Sequence, residues 1–199
     1  MTRTVEFYFD VGSPAAYVAF QRLPGICEAA GARPDFKPML LGGVFQATGN
    51  QSPMAIAAKA RYVMEDLERF ARRHHIPFAH NPFFPINTLT LMRGATGLQL
   101  REPARFLPYV DAVYRAIWVD GKNMNDPAVV AEVLQSAGFD PAALLALAGD
   151  PEVKERLKAV TQDAVARGVF GAPTFFVDGR MYWGQDRLDF VKEALEAQP

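Results

Sequence analysis

The first forty residues constrain the fold more than any other stretch of the chain. Thr4 to Phe9 is an apolar, β-prone run, Asp10 and Gly12 supply turn chemistry, and Ser13-Pro14 opens a helix with Tyr17, Phe20, Leu23 and Cys27 at helical spacing. Gly31 closes that helix near Ala30, and Pro34 to Leu40 reads as a second strand. A strand, a helix and a strand in so short a span imply a right-handed crossover and a parallel pair.

Ser13 stands where the first strand runs into the first helix. A serine there is first of all an N-cap, its oxygen accepting from an N–H of the opening turn. The same helix start presents unpaired N–H groups and a partial positive charge, which favour an anion such as a thiolate or carboxylate in front of the hydroxyl.

Composition narrows the class of partner. The chain has 199 residues, 50% hydrophobic, with net charge −1 and no long basic block, so a small molecule is expected as partner, with no nucleic acid and no membrane. The N-terminal residues include Arg3, Glu6 and Asp10 and do not read as a secretory signal, and the expected compartment is the cytoplasm. A single cysteine, Cys27, excludes an internal disulfide and reads as a packed thiol. His74, His75 and His80 bunch in one polar region without metal-ligand spacing, so no metal is expected.

Leu41 to Pro53, with Gly42, Gly43, Gly49, Asn50 and Pro53, reads as an irregular loop with Asn50 and Gln51 as its polar candidates. A long helix is predicted from Met54 to about His75, with Lys59 among its outward charges. Asn81-Pro82-Phe83-Phe84-Pro85-Ile86-Asn87 reads as a rigid aromatic loop, a lid or wall, leading into a helix capped near Asn87 or Thr88. Helices follow over about 88–100, 103–118, 127–137, 141–148 and 151–167, several opened by proline.

The tail changes character at Gly168. Thr174 to Val177 and Arg180 to Trp183 read as a hairpin around Asp178-Gly179, and a last helix is predicted from Asp186, a natural cap, to about Ala197. The two ends thus read βαβ and ββα with helices between.

That arrangement resembles a thioredoxin fold, an α/β fold, with a large all-helical insertion: residues 1–41 and 169–199 form the thioredoxin-like domain and residues 42–168 the insertion. No Cys-x-x-Cys is present at the first helix, where Ser13 is followed by Pro14, Ala15 and Ala16. Phe-Tyr-Phe-Asp-x-x-Ser-Pro-x-x-Tyr at 7–17, Phe-Gly-Ala-Pro-Thr-Phe-Phe-Val at 170–177 and Trp-Gly-Gln-Asp-Arg-Leu at 183–188 occur in this order. Together they resemble the 2-hydroxychromene-2-carboxylate isomerase family, a DsbA-like branch close to the kappa-class glutathione transferases.

The resemblance implies a homodimer and glutathione as cofactor, with Ser13 as the catalytic residue that donates to the thiolate. It places Pro173 as a cis proline beside Ser13, Ala172 and Pro173 against the cysteinyl part, Gln185 and Asp186 at the γ-glutamyl end, and Asn50 and Lys59 on the rest. For Lys59 a solvated helix charge is the alternative reading. The implied reaction is reversible thiolate addition to the chromene, ring opening, rotation and release of trans-o-hydroxybenzylidenepyruvate. An aromatic carboxylate needs apolar walls and a few donors, for which Phe9, Tyr17, Phe45, Phe83, Phe84 and Asn87 are the candidates, core packing being the alternative for each aromatic. A kappa-like transferase and a non-catalytic thiol-binding protein remain alternatives. A serine hydrolase fits poorly, because Ser13 has no Gly-x-Ser-x-Gly elbow and no histidine related to it by pattern.

Overall fold

The computed structural model describes residues 2–197; Met1, Gln198 and Pro199, which belong to the thioredoxin-like segments predicted from sequence, lie outside the described residues. The chain runs β1 (Thr4–Phe9), α1 (Pro14–Ala29), β2 (Arg33–Pro38), α2 (Leu41–Thr48), a 3₁₀ turn (Pro53–Ala55), α3 (Ala57–Arg73), α4 (Leu89–Arg101) and α5 (Pro103–Trp118). It continues through α6 (Pro127–Ser136), α7 (Pro141–Gly149), α8 (Pro151–Ala166), β3 (Thr174–Val177), β4 (Arg180–Trp183), a 3₁₀ turn (Gln185–Arg187) and α9 (Leu188–Glu196).

The strands form one sheet in the order β2-β1-β3-β4. β1 pairs parallel with β2 and antiparallel with β3, so Phe7 lies between Phe36 and Phe175. β3 and β4 form the predicted hairpin, with Asp178 at φ 48° in its turn. This is the thioredoxin fold with helices inserted between its halves.

Alternation along the strands divides the core. Val5, Phe7, Phe9, Phe175 and Val177 face the apolar side of α1 and α9 and merge with the core of the inserted helices. Tyr8 and Phe176 point the other way, under Val44 of α2 and Val160 and Ala164 of α8. On that face Arg167 makes a two-armed ion pair with Glu6 at 2.6 and 2.8 Å and lies 3.9 Å over the Phe176 ring. The pair holds the Glu6 carboxyl below its ordinary range, the Arg167 hydrogen bonds outweighing partial burial. Cys27 is buried in the first core, and burial pushes its thiol up to about 11, as befits a packing residue.

Three local expectations are corrected. The predicted irregular loop over Leu41 to Pro53 contains helix α2, because its first N–H groups are capped from far along the chain. Leu40 N–H donates to Thr161 Oγ1 at 3.0 Å and Leu41 N–H to Asp10 Oδ2 at 2.8 Å. Gly43 serves a close approach, since a Cβ there would lie 3.3 Å from Thr161 Cγ2 on α8, and Gly49 ends the helix at φ 69°. The helix predicted from Met54 begins only at Ala57, after the Ser52-capped 3₁₀ turn. Asp186 is not the cap of α9: it lies within a 3₁₀ turn, and Arg187 precedes the helix without a side-chain cap.

Candidate functional site

Ser13 has an extended backbone, φ −95° and ψ 114°, and is almost wholly buried. Its Oγ accepts from Ala16 N–H at 3.1 Å, the predicted cap, and donates to the Ala172 carbonyl at 3.1 Å. The second bond joins the start of α1 to the turn before β3, where the Ala172-Pro173 peptide is cis. A hydroxyl has one proton, so donation to an anion in front of α1 competes with the bond to Ala172. The helix N-terminus behind Ser13 adds a partial positive charge at that spot.

The turn that carries Ser13 is fixed by groups from distant elements. Asp10, fully buried, accepts from Gly12 N–H at 2.9 Å, Leu41 N–H at 2.8 Å and Thr88 Oγ1 at 3.1 Å. Burial pushes its carboxyl up, against the pull of those three donors. Trp118 Nε1 donates to the Val11 carbonyl at 2.9 Å, Val11 N–H to Met92 Sδ at 3.4 Å, and Tyr114 Oη to the Asp10 carbonyl at 3.4 Å. Gly12 sits so close to α4 that a Cβ would lie 2.9 Å from Thr88 Cγ2.

The other candidates divide by location. Asn50 Nδ2 donates to the Phe170 carbonyl at 2.8 Å, tying the segment after α2 to the turn that carries Ala172. Gly184 N–H donates to the Pro173 carbonyl at 3.0 Å, which brings the Gln185-Asp186 turn to the same place. Gln185 is buried, with its backbone carbonyl 3.0 Å and its Oε1 3.5 Å from Arg22 Nη1, while Asp186 pairs with Arg187 at 3.3 Å. Trp183 closes the back of the turn, its ring 4.9 Å from that of Phe170 and its Nε1 where a Cβ on Gly171 would come within 2.7 Å. Ser13, Asn50, Ala172, Pro173 and Gln185-Asp186 therefore belong to segments joined by direct hydrogen bonds. Lys59 is exposed on the first turn of α3.

Two of the proposed substrate contacts are core residues instead. Phe9 is fully buried in a cluster with Phe7, Phe36, Phe106 and Tyr114, because it points to the α1 side of the central strand. Tyr17 is buried against Phe78 and Tyr114 and donates its hydroxyl to the Pro77 carbonyl at 2.7 Å; burial pushes that phenol up to about 12. Phe45 is half-buried on α2 and Phe83 is exposed, whereas Phe84 packs 5.5 Å from Trp118 after a loop whose Phe84-Pro85 peptide is also cis. Asn87 is exposed, and its Oδ1 accepts from Leu89 N–H at 3.2 Å; Thr88 stands at the N-cap position of α4 but makes no side-chain cap bond, because its hydroxyl turns to Asp10.

Residues that sequence reasoning did not single out as positioning groups are Thr88, Trp118, Arg22 and, beyond its turn role, Asp10. Asp10 carried a signal, a carboxylate directly after the apolar strand and before the helix start; the others carried none that local pattern exposes.

The family model of the DSBA-like thioredoxin domain matches residues 4–196. The chain belongs to the DsbA-like thioredoxin family. Within it, the chain is 32% identical over 197 residues to a 2-hydroxychromene-2-carboxylate isomerase of Sphingobium xenophagum, covering 98% of this chain and 99% of that protein. It is 27% identical to human glutathione S-transferase kappa 1, covering 98% of this chain and 92% of the relative. A solved 2-hydroxychromene-2-carboxylate isomerase superposes with a TM-score of 0.84 at 30% identity, over 96% of this chain and 94% of that one. The start of α1 reads Ser13-Pro14-Ala15-Ala16, and Cys27 is the one cysteine in the sequence. No single helix among the described residues is long and apolar enough to cross a membrane.

Proposed function

We propose that this protein is a glutathione-dependent isomerase that converts 2-hydroxychromene-2-carboxylate to trans-o-hydroxybenzylidenepyruvate. The observation that carries the proposal is the Ser13 hydroxyl at the start of α1, bonded to Ala172 beside Pro173, in a chain similar over nearly its whole length to isomerases of that name.

The donor set suits glutathione. Ser13 supplies a hydroxyl for sulfur at the positive end of a helix, Ala172 is a partly exposed residue beside it, Asp186 supplies a carboxylate for an ammonium group, and Asn50 and Lys59 supply polar ends for the remaining carboxylate and amide groups. Bound there, glutathione supplies a nucleophilic thiolate that is regenerated at the end of each turnover.

The chain's own part is to favour that anion and to orient the substrate. A free thiol titrates at about 8.5, and a hydroxyl donor with a helix N-terminus lowers this, so more of the anion is present at neutral pH. Ser13 acts as donor and not as nucleophile. Keeping its proton, the Ser13 hydroxyl turns its O–H from the Ala172 carbonyl to donate a hydrogen bond to the sulfur, and Ala16 N–H continues to hold its oxygen in place. Phe45, Phe83 and Phe84 supply apolar surface and Asn87 an amide for the aromatic carboxylate.

Isomerisation of 2-hydroxychromene-2-carboxylate, followed with and without glutathione on the parent and on Ser13→Ala, tests the proposal. Turnover that needs glutathione, leaves its concentration unchanged and falls in the variant is expected; no turnover with glutathione present overturns it. The similarity to kappa transferases favours a second reading, conjugation of an electrophile, and stoichiometric loss of thiol identifies it.

A further inference from the structure

A groove of about 800 Å³ runs between α2, α4 and α8. Neither Ser13, Ala172 nor Gln185 lines it. Its volume lies within the roughly 300–1,000 Å³ typical of small-molecule sites. Its walls are mostly apolar, with Leu89 on α4 and Leu157 and Val165 on α8.

Charge in the groove is one-sided. Arg93, Lys154 and Lys158 line it against a single carboxylate, Glu155, which lies 3.4 Å from Lys158 Nζ. The Arg93 Nε atom is buried and has no hydrogen-bond partner among the described residues. A guanidinium N–H taken out of water without an acceptor is costly, and native structures seldom leave one so. The neighbouring Thr161 hydroxyl does not answer it: that group donates to the Leu157 carbonyl at 2.7 Å and accepts from Leu40 N–H at 3.0 Å.

We propose that this groove is a second small-molecule site, for an organic anion with an apolar body whose carboxylate or sulfonate head meets Arg93. The planar guanidinium matches such a head group through paired N–H donors, Lys154 adds charge at the rim, and the walls formed by Leu89, Leu157 and Val165 take the hydrocarbon. Because none of Ser13, Ala172 and Gln185 lines the groove, octanoate is expected to bind with or without glutathione.

Titration of the isotope-labelled protein with octanoate, followed by amide chemical shifts, tests the assignment. Saturable shifts at Gly43, Gln162 and Val165 are expected, with about tenfold weaker binding of octanol than of octanoate and about tenfold weaker binding of octanoate to Arg93→Met. Ser13→Ala keeps the parent's octanoate affinity. The parent's own titration stands even if Arg93→Met fails to fold. Shifts confined to Ser13 and Gly171, equal affinity for octanol, or no saturation overturn the proposal. So do groove shifts that follow protein concentration and not octanoate, which mean that a second copy of the chain covers this face.

Discussion

Thr88 Oγ1 donates to Asp10 Oδ2 at 3.1 Å across 78 positions of sequence. With the bond from Leu41 N–H to the same oxygen, it fastens the turn before Ser13 to both α2 and α4. The Asp10 side chain thus joins Val11, which meets Trp118 and Met92, in tying the inserted helices to the thioredoxin-like half.

Asp10→Asn retains the shape but turns an amide toward donors that need an acceptor. We expect a loss of roughly 2–4 kcal/mol at neutral pH, measured by urea unfolding. The pH dependence has a definite sign. Burial raises the native pKa above the ordinary aspartate value of 3.8, so the native state binds more protons than the unfolded state between those values, and the Asp10 contribution falls as pH rises through that window. The cost of Asp10→Asn is therefore larger near pH 4 than near pH 8.

Ser13→Ala separates two roles of one hydroxyl. Loss of the cap costs about 1 kcal/mol in unfolding. Loss of a donor aimed at a developing or resident anion lowers kcat/KM by roughly 10²-fold or more, read in the isomerisation assay. An activity loss that only tracks the loss of folded protein contradicts the donor role.

Glu6→Gln removes one half of the ion pair under α8. A cost of roughly 1–2 kcal/mol is expected at pH 7, since both side chains are less than a third exposed and the geometry is two-armed. The native pKa lies below the ordinary glutamate value of 4.5, so this contribution is present above that value and is lost as pH falls through the depressed native one. Parent and variant unfolding curves should converge on the acid side.

Gly94→Ala tests the packing of α4 on α5. The added methyl would lie 2.5 Å from Tyr109 Oη, a buried hydroxyl that donates to the Leu91 carbonyl at 3.0 Å. Despite the higher helix propensity of alanine, we expect destabilisation of roughly 1–3 kcal/mol in thermal or urea unfolding.

Elements with local signals were legible in the sequence. The strand to Phe9, the helix opened by Ser13-Pro14 and the hairpin around Asp178-Gly179 each carry their own periodicity and turn residues, and they stand in the structure where the sequence puts them. Helix α2 was not legible because Asp10 and Thr161 cap it from distant positions, and its glycines, which serve close packing on α8, look like loop residues in sequence. Phe9 and Tyr17 follow the same logic. Motif position suggested contact with substrate, but strand alternation and helix facing send both into the core. The bond from Asn50 to the Phe170 carbonyl joins positions that sequence distance cannot relate.

The pairing of β1 with β3 has a consequence for the order in which the molecule is made. β1 and β2 leave the ribosome before the inserted helices and can pair at once, but the other edge of β1 waits for Thr174 to Val177. Until those residues emerge, the inserted helices are complete while the central strand has one bare edge, and Ser13 has no Ala172 carbonyl to meet. The corner where Ser13 meets Ala172 is therefore closed only after all the inserted helices have been synthesised.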